Sequence, residues 1–230
     1  MIVFSAHYDH FGWDESLEGD QIYNGAVDNC SASAALLATA GFYAQRPERL
    51  KDDLCFVAVT AEEQLVLGSA YFARHLPFPK ETVLANINYE MTNVWGETED
   101  VFAIGARHSD LDAVCREAAE AIGLRYTPER NGELGFFYRS DQISFAREGI
   151  PAVWLSQGVV AKGPDPGLVQ RKFEEYRRDG YHKVSDEMKP DWDLRGTLQI
   201  IDWAKGVVGL LQEREGLPQF LPASSFKRGS

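Results

Sequence analysis

Four short apolar runs, at residues 2–6, 54–59, 83–88 and 152–155, are separated by longer segments whose apolar residues recur at helical spacing. Strand-length runs that alternate with helices lead to an α/β fold with a largely parallel sheet, because each helix must cross back over the sheet before the next strand can pair. The runs at 54–59 and 152–155 are nearly uninterrupted, as expected of strands buried on both faces. Helices are expected over 31–45, 69–75, 109–122 with Ser109 as N-cap, 141–147 and 193–213. Two stretches break the alternation, 14–24 and 157–190; loops that long in a compact domain tend to be functional or disordered. Residues 1–230 are expected to form one domain, with 215–230 as a surface tail.

Charge narrows the partners. With 23 Lys and Arg against 35 Asp and Glu, the net charge is −12, and neither nucleic acid nor an anionic membrane suits a chain without a basic footprint. Cations do. Cys30, Cys55 and Cys115 are too few and too scattered for a disulfide framework or a thiolate zinc site; they allow one bridge and a free thiol, or three thiols. The most apolar stretch, 197–211, is interrupted by Asp202 and Lys205, and no other run approaches the ~18 residues of a membrane span, so no membrane insertion is expected. No charged n-region or h-region of signal-peptide length precedes the run at 2–6.

The acids and histidines sit where the runs end. His7 and Asp9 follow the first, Glu62 and Glu63 the second, and Glu90 closes the third. In an open α/β sheet the crevice beyond the carboxyl ends of the strands is where ligands bind. Asp28, just ahead of the first helix, and His182, after the long loop, reach the same rim. His7, Asp28, Glu63, Glu90 and His182 form a donor set of imidazole and carboxylate without thiolate. That set suits Zn²⁺, with Mn²⁺ or Co²⁺ as substitutes, and a bridging carboxylate would let two ions sit ~3.5–4 Å apart. His75 and His108 stand alone and are read as ordinary structural histidines.

Six segments, in order, carry a resemblance: Ala6-His7-Tyr8-Asp9-His10-Phe11-Gly12; Tyr23-Asn24-Gly25-Ala26-Val27-Asp28-Asn29; Ala61-Glu62-Glu63-Gln64 with Leu67-Gly68-Ser69; Asn86-Ile87-Asn88-Tyr89-Glu90; Ser140-Asp141-Gln142 with Gly149-Ile150-Pro151-Ala152; and Tyr181-His182 with Ser185-Asp186-Glu187. The series resembles that of the M28 zinc peptidases, which include aminopeptidases, glutamate carboxypeptidases and glutaminyl cyclases. The resemblance implies a three-layer sandwich with a central, mostly parallel mixed sheet flanked by helices. It further implies a two-zinc exopeptidase acting on peptides, with aminopeptidase activity foremost. Asp28 would bridge the ions, His7 and Glu90 would complete one ligand set, and Glu63 and His182 the other. Glu62 matches the general base, and Asp9 the acid that orients His7. Asp141 begins a helix beside the site, and Tyr138, Arg139 and Asp141 are the candidate substrate contacts.

The chain departs from the pattern at Val27, where many members carry Asp, and at Cys30, Ser33, Gln142 and Glu90; none of these removes a ligand. Members usually have a helix and a strand or two before the segment that here begins at Ile2, so an uncovered sheet edge and self-association through it are expected. The alternatives are a glutaminyl cyclase, whose reaction uses one zinc, a carboxypeptidase, and a binding domain or inactive fragment. Because members are commonly exported, a periplasmic or secreted parent protein is expected.

Overall fold

The computed structural model describes residues 1–46, 50–130 and 132–228. In chain order its strands are β1 (Ile2–His7), β2 (Gly12–Trp13), β3 (Ile22–Tyr23), β4 (Leu54–Val59), β5 (Ala85–Asn88), β6 (Asp100–Ile104), β7 (Arg125–Tyr126) and β8 (Ala152–Gln157). The helices are α1 (Ala32–Ala44), α2 (Leu67–Arg74), α3 (Leu111–Ala121), α4 (Gln142–Arg147), α5 (Leu168–Asp179) and α6 (Arg195–Glu213). Six strands form one sheet in the order β4-β1-β5-β8-β6-β7, and β2 pairs with β3 in a separate hairpin. Every pairing in the large sheet is parallel except β6 with β8. The sheet is therefore mixed and mostly parallel.

Helices cover both faces, as the alternation of apolar runs requires. Ile2, Phe4 and Ala6 of β1 point into a core shared with α1, α3 and α6, while Val3 points into one shared with α2 and α4, which is the two-residue period of a strand read out on two faces. In α6, Ile200, Trp203, Ala204, Val207, Val208 and Leu211 are all buried, the i, i+3, i+4, i+7 stripe of a helix laid on a sheet.

Several local expectations change. Helix α3 begins two residues after Ser109, which caps nothing: its backbone bridges to Phe220, and its buried Oγ has no partner. The strand at 54–59 is half-exposed rather than doubly buried, because β4 lies at an edge of the sheet. The stretch 14–24 closes on the β2–β3 hairpin, and 157–190 contains the whole of α5. All three cysteines are free thiols. The tail packs as a strap: Phe220 and Phe226 join the α2–α4 core, and the Arg228 guanidinium donates to the carbonyls of Val83 and Leu84. Gly229 and Ser230 lie outside the described residues. Among those described, no helix is long and apolar enough to cross a membrane.

Candidate metal centre

The parallel strands β1, β4 and β5 end side by side, and each delivers an ionisable group at or just past its end: His7, Glu62 with Glu63, and Glu90. His7 is the last residue of β1 and fully buried. Its Nδ1–H donates to the main-chain carbonyl of Asp9 at 3.0 Å, which turns Nε2 towards the acids. That nitrogen lies 3.2 Å from Glu90 Oε1, 3.4 Å from Asp28 Oδ1 and 4.0 Å from Glu62 Oε2. Asp9 was expected to orient His7 through its carboxylate. The backbone does this instead, since the Asp9 carboxylate stands 3.8 Å away with Oδ1 unpartnered.

Asp28 sits in a wide, kinked turn, Ala26–Ser31, between β3 and α1. Its second oxygen, Oδ2, lies 3.3 Å from Nε2 of His182, which is in turn 3.4 Å from Glu63 Oε2. Thus one carboxylate faces two histidines, one through each oxygen. Four donor pairs fall between 3.2 and 3.4 Å, close to the ~3.3 Å separating ligand atoms on a tetrahedral zinc with bonds of about 2.0–2.1 Å. Glu62, farther from His7, falls outside that spacing. The residues present fit two ions sharing Asp28.

Buried hydrogen bonds aim these side chains. Ser140 Oγ donates to Glu90 Oε2 at 2.6 Å, so Oε1 is the oxygen left facing His7. Asn88 Nδ2 in turn donates to Ser140 Oγ and to Gln142 Oε1, and Ser5 Oγ donates to Asn88 Oδ1. Satisfied buried networks of this kind hold one geometry. On the other side, the Asp186 carboxylate accepts from the backbone N–H groups of Val27 and Asp28 and from the Tyr176 hydroxyl, clamping the Asp28 turn. Strain marks the same places: Ala61, Met91 and His182 all have positive φ (55°, 39° and 57°), costly for residues with a side chain. Gly68 is obligatory for a different reason. A Cβ there would lie 2.0 Å from the Thr60 carbonyl oxygen, so only glycine lets α2 pack so close to the Glu62-Glu63 turn.

So many acids in a buried space displace one another's pKa values. Burial drives Glu62 up to about 9, with the Glu90 charge adding to the effect and His7 opposing it. Glu90 is raised by burial, against the pull of His7. Asp28 goes the other way: burial would raise it, but bonds to His182 and His7 hold it below the usual carboxylate range. For His7, burial lowers the pKa, yet Glu90 and Asp28 outweigh it and the net shift is upward. Without cations this cleft keeps some of its carboxyls protonated.

Asp141 offers a clean test of that. It is fully buried, and burial raises it to about 7 against the pull of the His7 charge and of the nearby Ser69 hydroxyl. A carboxyl whose folded pKa is raised contributes stability present below its unfolded pKa and lost as pH rises through the folded value. The metal-free protein should therefore lose roughly 3 kcal/mol between pH 5 and 8 through this group, at about 1.4 kcal/mol per pKa unit. Asp141→Asn should remove that share of the slope in urea titrations and leave the share due to Glu62 and Glu90, which burial raises as well; an unchanged slope rejects the assignment. Full burial also removes Asp141 from substrate contact. Tyr138 and Arg139, by contrast, are exposed beside it. His75 and His108 lie outside the cluster: one stacks on Tyr71, the other packs against Phe137 and Phe226.

Comparisons with known proteins bear on the fold and the family. The aminopeptidase LapA of Legionella pneumophila superposes with a TM-score of 0.68 at 21% identity, over 94% of this chain and 52% of its own. A zinc aminopeptidase of Bacillus subtilis gives 0.61 at 20% identity, over 94% and 47%. A glutaminyl cyclase of Porphyromonas gingivalis gives 0.60 at 17%, over 92% and 72%. The chain thus spans about half the length of the two aminopeptidases, and at these identities the likeness is one of fold. No curated protein matches the sequence. The model of peptidase family M28, however, matches residues 1–204. A match that runs from the first strand into the last helix, through every segment that bears an acid or histidine of the cleft, makes this chain a member of peptidase family M28.

Proposed function

We propose that this chain carries the catalytic centre of a two-zinc aminopeptidase. The observation that carries the reading is Asp28, whose two oxygens face His7 and His182 at 3.4 and 3.3 Å, the disposition of a carboxylate shared between two ions. His7 and Glu90 complete one position, Glu63 and His182 the other. When bound, the ions would acidify the attacking water and stabilise negative charge developing on the scissile carbonyl oxygen.

The remaining chemistry belongs to the chain. Glu62, at the end of β4, takes the proton of the attacking water and returns it to the departing amine. The pKa of about 9 that it has without cations falls once positive charge offsets Glu90 and Glu63, bringing the carboxylate into the range of a base at neutral pH. Arg139, exposed and near enough for its charge to act on His182 and Tyr181, is the side chain that touches the peptide; Tyr138 packs instead towards His108 and Phe226. Metal analysis of the purified protein together with a panel of aminoacyl-p-nitroanilides and an N-terminal glutaminyl peptide tests the reading. Two equivalents of zinc and amide hydrolysis are expected; one equivalent with cyclisation would replace it by the glutaminyl cyclase reading.

Among the described residues no strand pairs with the outer edge of β4, and this bears on assembly. Ile2 N–H bonds the Asp53 carbonyl and Tyr8 N–H the Val59 carbonyl, so the N–H and C=O of Leu54, Phe56 and Ala58 point away from β1. The strand carries no charge to deter pairing. Two copies joined antiparallel about Phe56 would oppose Leu54 with Ala58 and bring no like charges together. Light scattering should show a concentration-dependent dimer that Phe56→Lys abolishes; a monomer at every soluble concentration sinks this expectation.

A further inference from the structure

We infer that His10 is a positioning residue: its imidazole holds Glu63 by one oxygen, so that only the other is presented to the metal position shared with Asp28 and His182. His10 Nδ1 lies 2.7 Å from Glu63 Oε1, and both side chains are almost fully buried. The other oxygen, Oε2, is the one 3.4 Å from His182 Nε2. Proximity alone would make His10 a ligand, since donor atoms of His10, Asp28 and Glu63 all lie within 4.8 Å of one another. The distance decides against that. Two donors on one tetrahedral zinc stand ~3.3 Å apart, whereas 2.7 Å is a hydrogen bond.

The contact with Glu63 is the only hydrogen bond of the ring among the described residues: the other nitrogen, Nε2, is buried without a partner. The ring itself is held on several sides. Phe11, Tyr23 and His182 place their centroids 5.0, 6.1 and 5.7 Å away. Gly25, in the left-handed region at φ 60°, closes the remaining approach: a Cβ there would meet His10 Cβ and Cγ at 2.9 Å and the Asp28 carbonyl oxygen at 2.5 Å. One glycine therefore makes room for both the His10 ring and the Asp28 turn. Histidines and carboxylates that orient metal ligands in this way typically contribute about 10–100-fold to metal affinity.

This rests on the two-ion reading, and the test separates the two. Zinc titration against a competing chromophoric chelator would be run on the wild-type protein, His10→Ala and His10→Asn, each first shown to be folded without metal by circular dichroism. The Asn side chain keeps an N–H donor near the position of Nδ1. His10→Ala should weaken the second equivalent about 10–100-fold and leave the first unchanged, and His10→Asn should restore most of the loss. Unchanged binding in His10→Ala, weakening of the first equivalent, or a loss that Asn fails to restore would each overturn the positioning role. A wild-type protein that binds fewer than two ions defeats the two-ion reading itself, and this inference with it.

Discussion

Replacing Glu62 by Gln should lower kcat for an aminoacyl anilide by about 10²–10⁴-fold, the usual contribution of a positioned general base, while both equivalents of zinc stay bound. The amide keeps the size of the side chain and removes the proton acceptor. Retention of metal is the discriminating half of the result, because Glu62 groups with His7 and Glu90 by proximity and could be mistaken for a ligand. Its Oε2 is 4.0 Å from His7 Nε2, against 3.2 Å for Glu90 and 3.4 Å for Asp28. Paired measurements of metal content and kcat settle the matter: near-full activity in Glu62→Gln removes it as the base, and loss of an ion makes it a ligand.

Asp28→Ala should abolish both metal equivalents at once, whereas His182→Ala should abolish one. The asymmetry follows from Asp28 alone facing both histidines. It would be read most directly as thermal stabilisation on adding zinc, because an ion that binds only the folded state at 100 times its Kd contributes about 2.7 kcal/mol. The Asp28 variant should show none of this shift, and the His182 variant about half. If Asp28→Ala still binds one ion tightly, the carboxylate is a ligand of one position and the bridge is wrong.

The sheet was legible where its strands are long and apolar. Residues 2–6, 54–59, 83–88 and 152–155 all fall in or against observed strands, since a short apolar run between polar segments has the length of a strand and is too short for a core helix. β6 had such a run, Val101–Ile104, as long as the one at 152–155, behind Asp100, a buried carboxylate that accepts from the N–H groups of Val159 and Val160 and pairs with Arg130. β7 had none: it has two residues, too few to show any period. Helix α5 hid in a charged run because it buries only Val169 and Tyr176, two turns apart, with Phe173 half-buried between them against Trp95.

The site divides in a similar way. Which residues come together was readable, because carboxyl ends of parallel strands lie in a row whatever their order, and His7, Glu62, Glu63 and Glu90 follow such ends. How each side chain is aimed was not. The bonds of His10 to Glu63, Ser140 to Glu90 and Asp186 to the Asp28 turn link residues 53, 50 and 158 positions apart, and their geometry depends on how far each loop folds over the sheet. Asp9 shows the limit. Two residues from His7 in an extended segment, it belonged beside the imidazole, yet the chain turns so that its carbonyl, not its carboxylate, takes the Nδ1 proton.

Periodicity and residue type therefore determined by themselves the α/β layering and the rim where acids and histidines collect, because hydrophobic burial acts on the local pattern of the chain. Only the tertiary structure decided which oxygen of Asp28, Glu63 and Glu90 faces which histidine. That choice is made by hydrogen bonds between segments remote in sequence, and a carboxylate has two equivalent oxygens until something binds one of them.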